Sequence, residues 1–577
     1  MTAPSSLVEV LRRHAETRPD SVAVTLDAGP AAEHPALSYG ALYACAARLA
    51  DDLRTVTPPG ERALLVFPTS LEFVVAYLAC LMAGVVAVPL MPPRRNASHD
   101  ASAAIIADCL PATALCLPAD AEPDARLRRQ LDAAGVTPIG VALSDLPRDR
   151  PYLARTRNDL AFLQYTSGST STPKGVMVSH GNLLANLQMI RDRLGNHAGS
   201  THVGWIPLYH DMGLIMNLLQ PLYLGAKSVL MMPSGFMLRP LNWLRAIHAH
   251  GAEVAAAPNF AYDLCVDRFR PEQMDGVNLG GWKIAINGAE PVRASTLERF
   301  AKTFAPYGFD ATVMHPSFGL AEATLMVTSG RRGVPARLRK ISGARLLRGK
   351  IAEPEGDGDV RTLVGCGFAV EGLSLAIVDP ETRRRTPSDA VGEVWVRGAS
   401  VTDGYWRRPG QSVEMLGARI EAPPEDRCSA GPWLRTGDLG HLDGDGELYL
   451  VGRIKDVLII RGVNHHPQDI EATAVASHPA LRRDHGAVFG FVGDDGLEQV
   501  VLIQEIKRSH RGRSSSREII AAIRAAVVGQ HDIAFHTIIL IQPGSLPKTT
   551  SGKIQRSLAR ERWMDGALEL WQEEADR

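Results

Sequence analysis

The chain has 577 residues, of which 45% are hydrophobic and 22% are charged, and its 62 basic residues nearly balance its 63 acidic ones. This composition is typical of globular proteins and argues against a disordered, collagen-like or coiled-coil chain. A net charge of −1 excludes the basic footprint of a general nucleic-acid binder and gives no overall attraction to anionic membranes. The length predicts about three or four domains, or fewer large ones.

The seven cysteines are scattered, odd in number and without a C-x-x-C pair. This pattern fits reduced thiols and indicates neither a zinc framework nor a disulfide framework. The first 26 residues carry charges throughout and lack the apolar stretch of a signal peptide. Ser6 and Glu9 instead have the spacing of a capping box at the start of an amphipathic helix. We therefore expect a cytoplasmic protein.

One apolar segment, Phe73 to Met91, is uncharged and about as long as a membrane span. Gly84 interrupts it and Pro89 lies near its end. The segment therefore predicts a buried helix that ends at Gly84, followed by a buried strand from Val85 to Leu90.

Short β-branched runs alternate with helical patterns through most of the chain, which predicts an α/β protein. The strands predicted on this basis are Arg62–Phe67, Ala161–Tyr165, Lys227–Met231, Lys283–Ile286 and Leu375–Val378. A domain boundary is predicted near Gly452–Asp456, because a compact tail with its own strands, Gln499–Gln504 and Thr537–Ile541, follows it.

The richest chemical signal is the segment YTSGSTSTPKG, from Tyr165 to Gly175, which lies between two predicted strands. Small hydroxylated residues and glycine let backbone N–H groups and hydroxyls approach phosphate oxygens, and Lys174 adds a mobile positive charge. The segment is not a Walker A loop, and the chain contains no G-x-G-x-x-G, G-x-S-x-G or H-E-x-x-H motif. The motifs therefore give no case for a dinucleotide oxidoreductase, an α/β-hydrolase or a zincin.

This loop resembles the phosphate loop of the adenylate-forming superfamily, which contains acyl-CoA synthetases, peptide-synthetase adenylation domains and luciferases. Later motifs occur in the order of that superfamily and span most of the chain. They are PLYHDMGL (207–214), NGAEP (287–291), SFGLAEAT (317–324), GEVWVRG (392–398), TGDL (436–439), GRIKD (452–456) and LPKTTSGKI (546–554).

The resemblance implies a fold with a large N-terminal domain over residues 1–454 and a small, mobile α+β domain over residues 455–577. The large domain is expected to contain α/β subdomains and a small β-barrel-like subdomain. The resemblance also implies ATP and Mg²⁺ as cofactors, because these enzymes join a carboxylate to the α-phosphate of ATP and expel pyrophosphate. Since two anions must meet, positioning and positive charge are expected to carry the catalysis.

Residue roles follow from the resemblance, motif by motif. The β- and γ-phosphates would be held by Thr166, Ser167, Gly168, Ser169, Thr170 and Lys174. The adenine would be framed by Asn287, Gly288, Ala289, Glu290, Ser317, Phe318, Gly319 and Leu320, with Phe318, where the family usually has tyrosine, packing on the ring. Glu322 would hold Mg²⁺, together with Thr166. Asp438 would accept hydrogen bonds from the ribose hydroxyls, with help from Arg453.

Three further residues complete the expected catalytic apparatus. Lys553 would bridge the acyl carboxylate and the ribose-phosphate oxygens in the transition state, and His210 would lie beside the α-phosphate or the acyl carboxylate. Lys455 resembles the hinge residue about which the small domain turns between adenylating and thiol-transfer poses. With only 10 lysines in the chain, the presence of lysine at these motif positions favours a need for a compact ammonium.

The branch of the superfamily is indicated by a long connection. Val364, in the turn VGCG, lies 42 positions after Glu322, and the stretch of about residues 328–362 resembles the insertion of fatty acyl-AMP ligases. In that branch the insertion hinders the pose that uses CoA, and the acyl group passes to the phosphopantetheine thiol of an acyl carrier protein.

Three alternatives stay open at this point. The first is the fatty acyl-AMP ligase just described. The second is a medium- or long-chain fatty acyl-CoA ligase, in which the insertion is a solvated surface loop with no effect on specificity. The third is a catalytically dead adenylate-binding scaffold. A fatty acid substrate needs an apolar tunnel. The candidate lining residues are Trp205, Ile206, Leu214, Met231 and Phe236. No nucleic acid and no transmembrane segment are expected.

Overall fold

A computed structural model gives the fold and describes residues 3–29, 33–92, 102–118, 125–143, 153–166, 173–422, 429–460, 463–493, 498–510, 514–548 and 553–571. The strands are β1 (Val22–Asp27), β2 (Ala36–Ser38), β3 (Arg62–Val66), β4 (Val86–Leu90), β5 (Thr113–Cys116), β6 (Pro138–Gly140), β7 (Leu160–Thr166), β8 (Lys174–Ser179), β9 (His202–Gly204), β10 (Ser228–Met231), β11 (Val254–Pro258), β12 (Ile284–Gly288), β13 (Met314–Gly319), β14 (Met326–Ser329), β15 (Leu338–Ser342), β16 (Val360–Ala369), β17 (Leu373–Val378), β18 (Gly392–Gly398), β19 (Leu434–Leu442), β20 (Glu447–Arg453), β21 (Leu458–Ile460), β22 (Val463–His465), β23 (Leu481–Val492), β24 (Glu498–Ile506) and β25 (Thr537–Ile541).

The helices are α1 (Leu7–Thr17), α2 (Tyr39–Val56), α3 (Leu71–Ala83), α4 (Ser102–Cys109), α5 (Ala125–Ala133), α6 (His180–Leu194), α7 (Gln220–Leu224), α8 (Pro233–Leu238), α9 (Leu241–Ala249), α10 (Asn259–Asp267), α11 (Ala294–Phe304), α12 (Gly343–Leu346), α13 (Pro409–Leu416), α14 (Pro467–Ala476), α15 (Ser516–His531) and α16 (Arg556–Met564). Among the described residues, no helix is both long enough and apolar enough to cross a membrane.

The apolar segment that could pass for a membrane span is a buried helix and strand, as predicted. Helix α3 ends at Gly84, whose φ of 73° is the left-handed conformation that glycine adopts without steric cost. All but one residue of α3 are buried, and β4 after it is buried throughout. Strand β4 lies in a six-stranded sheet of order β6-β5-β3-β4-β7-β8, in which only β8 runs antiparallel to its neighbour.

The second sheet is a 14-stranded assembly that changes from parallel to antiparallel pairing at β13. Strands β1, β10, β9, β11, β12 and β13 are paired in parallel, so their carboxyl ends lie along one edge. Beyond β13, the antiparallel strands β14, β16, β20, β19, β18 and β17 continue the sheet. In an α/β sheet, ligand sites form at the carboxyl edge of parallel strands.

The tail after residue 454 has a core of its own. Strands β23, β24 and β25 form a three-stranded sheet, against which α14 and α15 pack. Ile470, Leu502 and Ile523 are fully buried in this core, which is separate from that of the large sheets. These helices, strands and core give the large α/β part and small α+β part that were expected.

The first helix begins differently from the prediction. Ser6 is the N-cap residue but makes no side-chain capping bond. Ser5 interacts with Glu9 instead, since its backbone N–H and its hydroxyl each donate to that carboxylate at 2.8 Å. The predicted capping pair is therefore wrong by one residue, because the Glu9 side chain reaches one position further back along the chain.

Candidate active site

The carboxyl ends of β12 and β13 bring the predicted adenine-framing residues together. Asn287 is fully buried; its Nδ2 donates to Asn259 at 3.3 Å, and its Oδ1 has no hydrogen-bond partner among the described residues. A Cβ added at Gly319 would lie 2.0 Å from the Leu325 carbonyl oxygen, so only glycine fits where these two backbone segments meet. The arrangement leaves a buried polar oxygen at the strand edge, and such an atom normally has a partner.

Phe318 and Glu290 flank this edge. Phe318 is almost entirely buried. One oxygen of Glu290 accepts a hydrogen bond from the backbone N–H of Phe260 at 2.5 Å. Burial raises the pKa of Glu290 to about 7, well above that of an ordinary carboxyl group.

Asp438 and Arg453 face each other on neighbouring antiparallel strands. Their Cα atoms are register partners in the β19–β20 pair. Arg453 Nε donates to Asp438 Oδ1 at 2.9 Å. The nearby carboxylate of Asp438 is the main reason that the pKa of Arg453 is raised, and Asp456 and Glu322 add to this. The register thus places a carboxylate, fixed by a guanidinium, at the junction with the tail.

The structure brings Lys553 of the tail into the site of the large domain. Burial lowers the pKa of its ammonium, and the charge of Arg453 lowers it further. Asp211, Asp438 and Glu290 act in the opposite direction. The charge of the ammonium therefore interacts with carboxylates from three separate motifs, all of which belong to the large domain.

His210 and Asp211 form a tight pair just before a π-helical segment, Gly213–Leu219. His210 Nδ1 lies 2.7 Å from Asp211 Oδ1, and that oxygen also accepts the backbone N–H of Met212 at 2.7 Å. Burial is the largest single influence on the pKa of Asp211 and raises it, but His210, Lys553 and the Met212 N–H together outweigh burial, so the pKa is lowered. Such π-helical segments are rare and occur frequently at functional sites.

Glu322 and Lys174 are joined through Tyr405, a residue that sequence reasoning missed. The Tyr405 hydroxyl donates to Glu322 Oε1 at 2.8 Å, and Lys174 Nζ lies 5.4 Å from the centre of the Tyr405 ring. Burial lowers the pKa of Lys174, and the charge of Lys455 lowers it further. No local motif marks Tyr405, because its proximity to Glu322 arises only in the folded chain.

Thr166 and Lys174 are Cα partners at the open end of the β7–β8 pair. The loop between them contains Ser167, Gly168, Ser169 and Thr170, and these four predicted phosphate ligands lie outside the described residues. The two described ends show where the loop leaves and re-enters the sheet.

Lys455, the predicted hinge residue, lies between two ion pairs. On one side is the Arg453–Asp438 pair, in the large domain. On the other, Arg556 Nη1 bonds Asp456 at 3.2 Å, and its other nitrogens make two bonds to Glu471 at 2.9 and 2.7 Å. Arg556 follows Lys553 by three residues and was not singled out from the sequence.

The tail also contacts the large domain outside the site. Arg293 forms an ion pair with Asp484 of β23. The predicted insertion makes a second contact, in which Arg361 of β16 pairs with Asp469 of α14. Beside it, the backbone N–H of Asn464 donates to the carbonyl of Leu347 at 3.2 Å.

The predicted acyl-tunnel residues, Trp205, Ile206, Leu214, Met231 and Phe236, are all buried. Trp205 and Phe236 stack nearly parallel, with ring centres 3.8 Å apart and an interplanar angle of 3°. The indole N–H of Trp205 has no hydrogen-bond partner among the described residues. Trp205 and Ile206 lie a few residues before His210 in the chain, Leu214 lies four residues after it, and Met231 is the last residue of β10.

Comparisons with known proteins identify the family of this chain. The profile of the AMP-binding enzyme family matches residues 11–406, and that of the AMP domain of Disco-interacting protein 2-like proteins matches residues 455–573. The chain is 39% identical to the medium-chain-fatty-acid–acyl-carrier-protein ligase JamA of Moorena producens, over 98% of this chain and 96% of that protein. It is 38% identical to the long-chain-fatty-acid–AMP ligase FadD26 of Mycobacterium bovis, over 97% of each.

A crystal structure of the fatty acyl-adenylate ligase from Legionella pneumophila, in complex with acyl adenylate and pyrophosphate, superposes with a TM-score of 0.73. It is 33% identical and covers 98% of both chains. The chain therefore belongs to the AMP-binding enzyme family and is an adenylate-forming ligase. Within that family, it groups with the fatty acyl-AMP ligases.

Proposed function

We propose that this enzyme activates a fatty acid with ATP to an acyl-adenylate and then passes the acyl group to the phosphopantetheine thiol of an acyl carrier protein. The observation that carries the first half of the proposal is the half-buried Lys553 ammonium, whose charge interacts with Asp211, Asp438 and Glu290 of the large domain. Withdrawing a cation from water costs free energy. The binding of two anionic reactants beside Lys553 offsets that cost.

The described residues fit ATP and Mg²⁺. The Oδ1 atom of Asn287 is an unpaired buried acceptor suited to an amino group on a base. Glu322 has a carboxylate oxygen not used by Tyr405, and oxygen ligands of this kind suit Mg²⁺. Glu322 and Thr166 would hold Mg²⁺, which would supply positive charge against the phosphate oxygens.

The remaining site residues bind the ribose, the phosphates and the acyl carboxylate. Asp438, fixed by Arg453, accepts from the ribose hydroxyls and sets the position of the α-phosphate. Lys174 and the residues from Ser167 to Thr170 hold the terminal phosphates. Lys553 lies between the carboxylate that attacks and the phosphate that is attacked, so its charge stabilises the transition state more than either reactant alone. His210, fixed by Asp211, provides a polar contact at the mouth of the acyl tunnel.

The second half of the proposal concerns the acceptor. In the described pose the insertion contacts the tail through Arg361–Asp469 and Leu347–Asn464. These contacts favour the adenylating pose, and they must break when the domain from Lys455 onward turns to the transfer pose. A carrier protein can offset that cost with its own docking surface, whereas free CoA has fewer contacts to contribute.

The test of adenylation is carboxylate-dependent exchange of pyrophosphate into ATP with fatty acids of graded length, with the acyl-adenylate detected by mass spectrometry. Lys553→Ala should lower exchange by about 10²–10³-fold, the usual effect of removing a donor that binds transition-state charge. Lys507→Ala is the matched control, because this lysine of the tail is exposed and its ammonium donates to the carbonyl of Pro479 at 2.8 Å, away from the site. Full exchange in Lys553→Ala, or no exchange with any fatty acid, would contradict the proposal.

The acceptor is tested separately, with purified acyl-adenylate and either holo-carrier protein or CoA. Faster thioester formation on the carrier supports the proposal, and faster acyl-CoA formation assigns the enzyme to the CoA ligases instead. Deleting residues 330–350 should raise the rate with CoA if the insertion restricts the acceptor.

A further inference from the structure

A cluster of two histidines and one aspartate lies at the far end of the large sheet. Asp27 is the last residue of β1, His34 lies seven positions after it, and His250 directly follows α9. Asp27 Oδ2 is 3.1 Å from His250 Nε2, and Asp27 Oδ1 is 3.8 Å from His34 Nδ1. One ligand atom from each residue lies within 4.8 Å of the other two.

The three residues come from different parts of the chain. His34 lies just before β2, which pairs antiparallel with β1. His250 follows α9, and its Nε2 reaches Asp27 at the end of β1. The Asp27 side chain is 8% exposed, that of His250 12% and that of His34 34%. The cluster is therefore enclosed on two sides and open to solvent at His34.

The 3.1 Å between Asp27 and His250 is close to the ligand spacing of a divalent transition metal, and His34, at 3.8 Å from Asp27, would move closer on binding. Four-coordinate Zn²⁺ binds imidazole nitrogen and carboxylate oxygen at about 2.0–2.2 Å, which separates its ligands by about 3.3 Å. Two histidines and one carboxylate are a common ligand set for such ions, with water in the open position. We infer that Asp27, His34 and His250 form a Zn²⁺ site, in which the ion replaces the proton shared between Asp27 and His250.

Two features of the surroundings oppose binding, namely the backbone N–H of Ala28, which donates to His34 Nδ1 at 3.4 Å, and Lys227. Lys227 Nζ lies 3.5 Å from His250 Nδ1. When Nε2 binds a metal, Nδ1 carries the proton and usually donates it to an acceptor, which an ammonium is not. Lys227 must therefore turn towards solvent when zinc binds, and removing its charge should strengthen the site.

The site is distant from the adenylating chemistry. Four strand spacings, each about 4.8 Å, separate β1 from β12 in the sheet order, which places Asp27 about 19 Å from Asn287. The ion would join the segment between β1 and β2 to the end of α9 and would take no part in catalysis.

The test uses the metal-stripped full chain and Zn²⁺ alone, without nucleotide. Equilibrium dialysis at micromolar zinc, followed by elemental analysis, should show about one more bound equivalent in the parent than in Asp27→Asn or His250→Ala. If Asp27→Asn or His250→Ala fails to fold, His34→Ala provides the same test, because it alters the most exposed of the three ligands; it should also lose the bound equivalent. Lys227→Met should bind zinc several-fold more tightly than the parent, because one nearby positive charge is removed.

His248→Ala is the matched control, since His248 lies two residues from His250 and contacts the Asn278 carbonyl instead. It should keep the bound equivalent, and Co²⁺ in the parent should give the visible absorption of a four-coordinate ion. Equal zinc uptake by the parent and Asp27→Asn, a loss in His248→Ala, or weaker binding in Lys227→Met would overturn the inference.

Discussion

The ion pair between Arg361 and Asp469 offers the sharpest test of how the insertion selects the acceptor. Arg361→Ala removes the side-chain contact between the insertion and α14 and leaves the rest of the insertion in place. We expect the small domain to leave the adenylating pose more readily, so that CoA becomes a better acceptor.

The size of the effect follows from burial. The two side chains are 22% and 25% exposed, between a surface pair, worth up to about 1 kcal/mol, and a buried pair, whose disruption costs about 3–5 kcal/mol. A contribution of about 1–2 kcal/mol shifts the equilibrium between the poses about 5–30-fold. The neighbouring bond from Asn464 to Leu347 is retained, which limits the gain.

The assay compares two rates in the same preparation, namely pyrophosphate exchange and acyl-CoA formation. The ratio of the second to the first should rise in Arg361→Ala. Arg345→Ala is the control, because Arg345 pairs with Glu355 inside the insertion and both side chains are at least half exposed. An unchanged ratio in Arg361→Ala, or an equal rise in Arg345→Ala, would refute the role of the interdomain contact.

Three further changes test the site itself. Asp438→Ala should raise the KM for ATP in the exchange assay by about 10–100-fold, because a buried acceptor of the ribose hydroxyls is lost; an unchanged KM would remove Asp438 from the nucleotide site. Burial raises the pKa of Glu290 to about 7, so the folded state holds this proton more tightly than the unfolded chain does, and the stability gained is lost as pH rises towards 7. Glu290→Gln should therefore gain stability over the parent by about 1–2 kcal/mol more at pH 8 than at pH 5.5 in urea unfolding, and a gain independent of pH would contradict the shift. Arg293→Ala and Asp484→Ala should each slow adenylate formation about fivefold, since this pair is partly exposed, and the double variant should be no slower than either single variant; additive losses would show that the two residues act separately.

Local sequence signals predicted the elements that depend on local chemistry. Gly84 ends α3 as expected, and β25 has the predicted limits, Thr537–Ile541. Strand β17 begins two residues before the predicted Leu375, because its pairing with β18 extends to Leu373. Strand ends depend on such partners, which the chain itself does not reveal.

The site was predicted motif by motif, but its connections were not. Asp438 and Arg453 lie 15 residues apart, and only the register of β19 and β20 makes them partners. Tyr405 and Arg556 were missed because their carboxylate partners, Glu322 and Glu471, are 83 and 85 residues away. No periodicity or local spacing indicates a contact of that range.

The two ion pairs that flank Lys455 have a consequence for how the small domain can move. Arg453 is bound to the large domain through Asp438, and Asp456 is bound to the small domain through Arg556. Only Ile454 and Lys455 lie between these two ion pairs. Rotation of the small domain would therefore use the backbone torsions of these two residues. If the small domain turns here as proposed, a pivot this short would allow only a few discrete orientations and would return the Lys553 ammonium to the same place after each turnover.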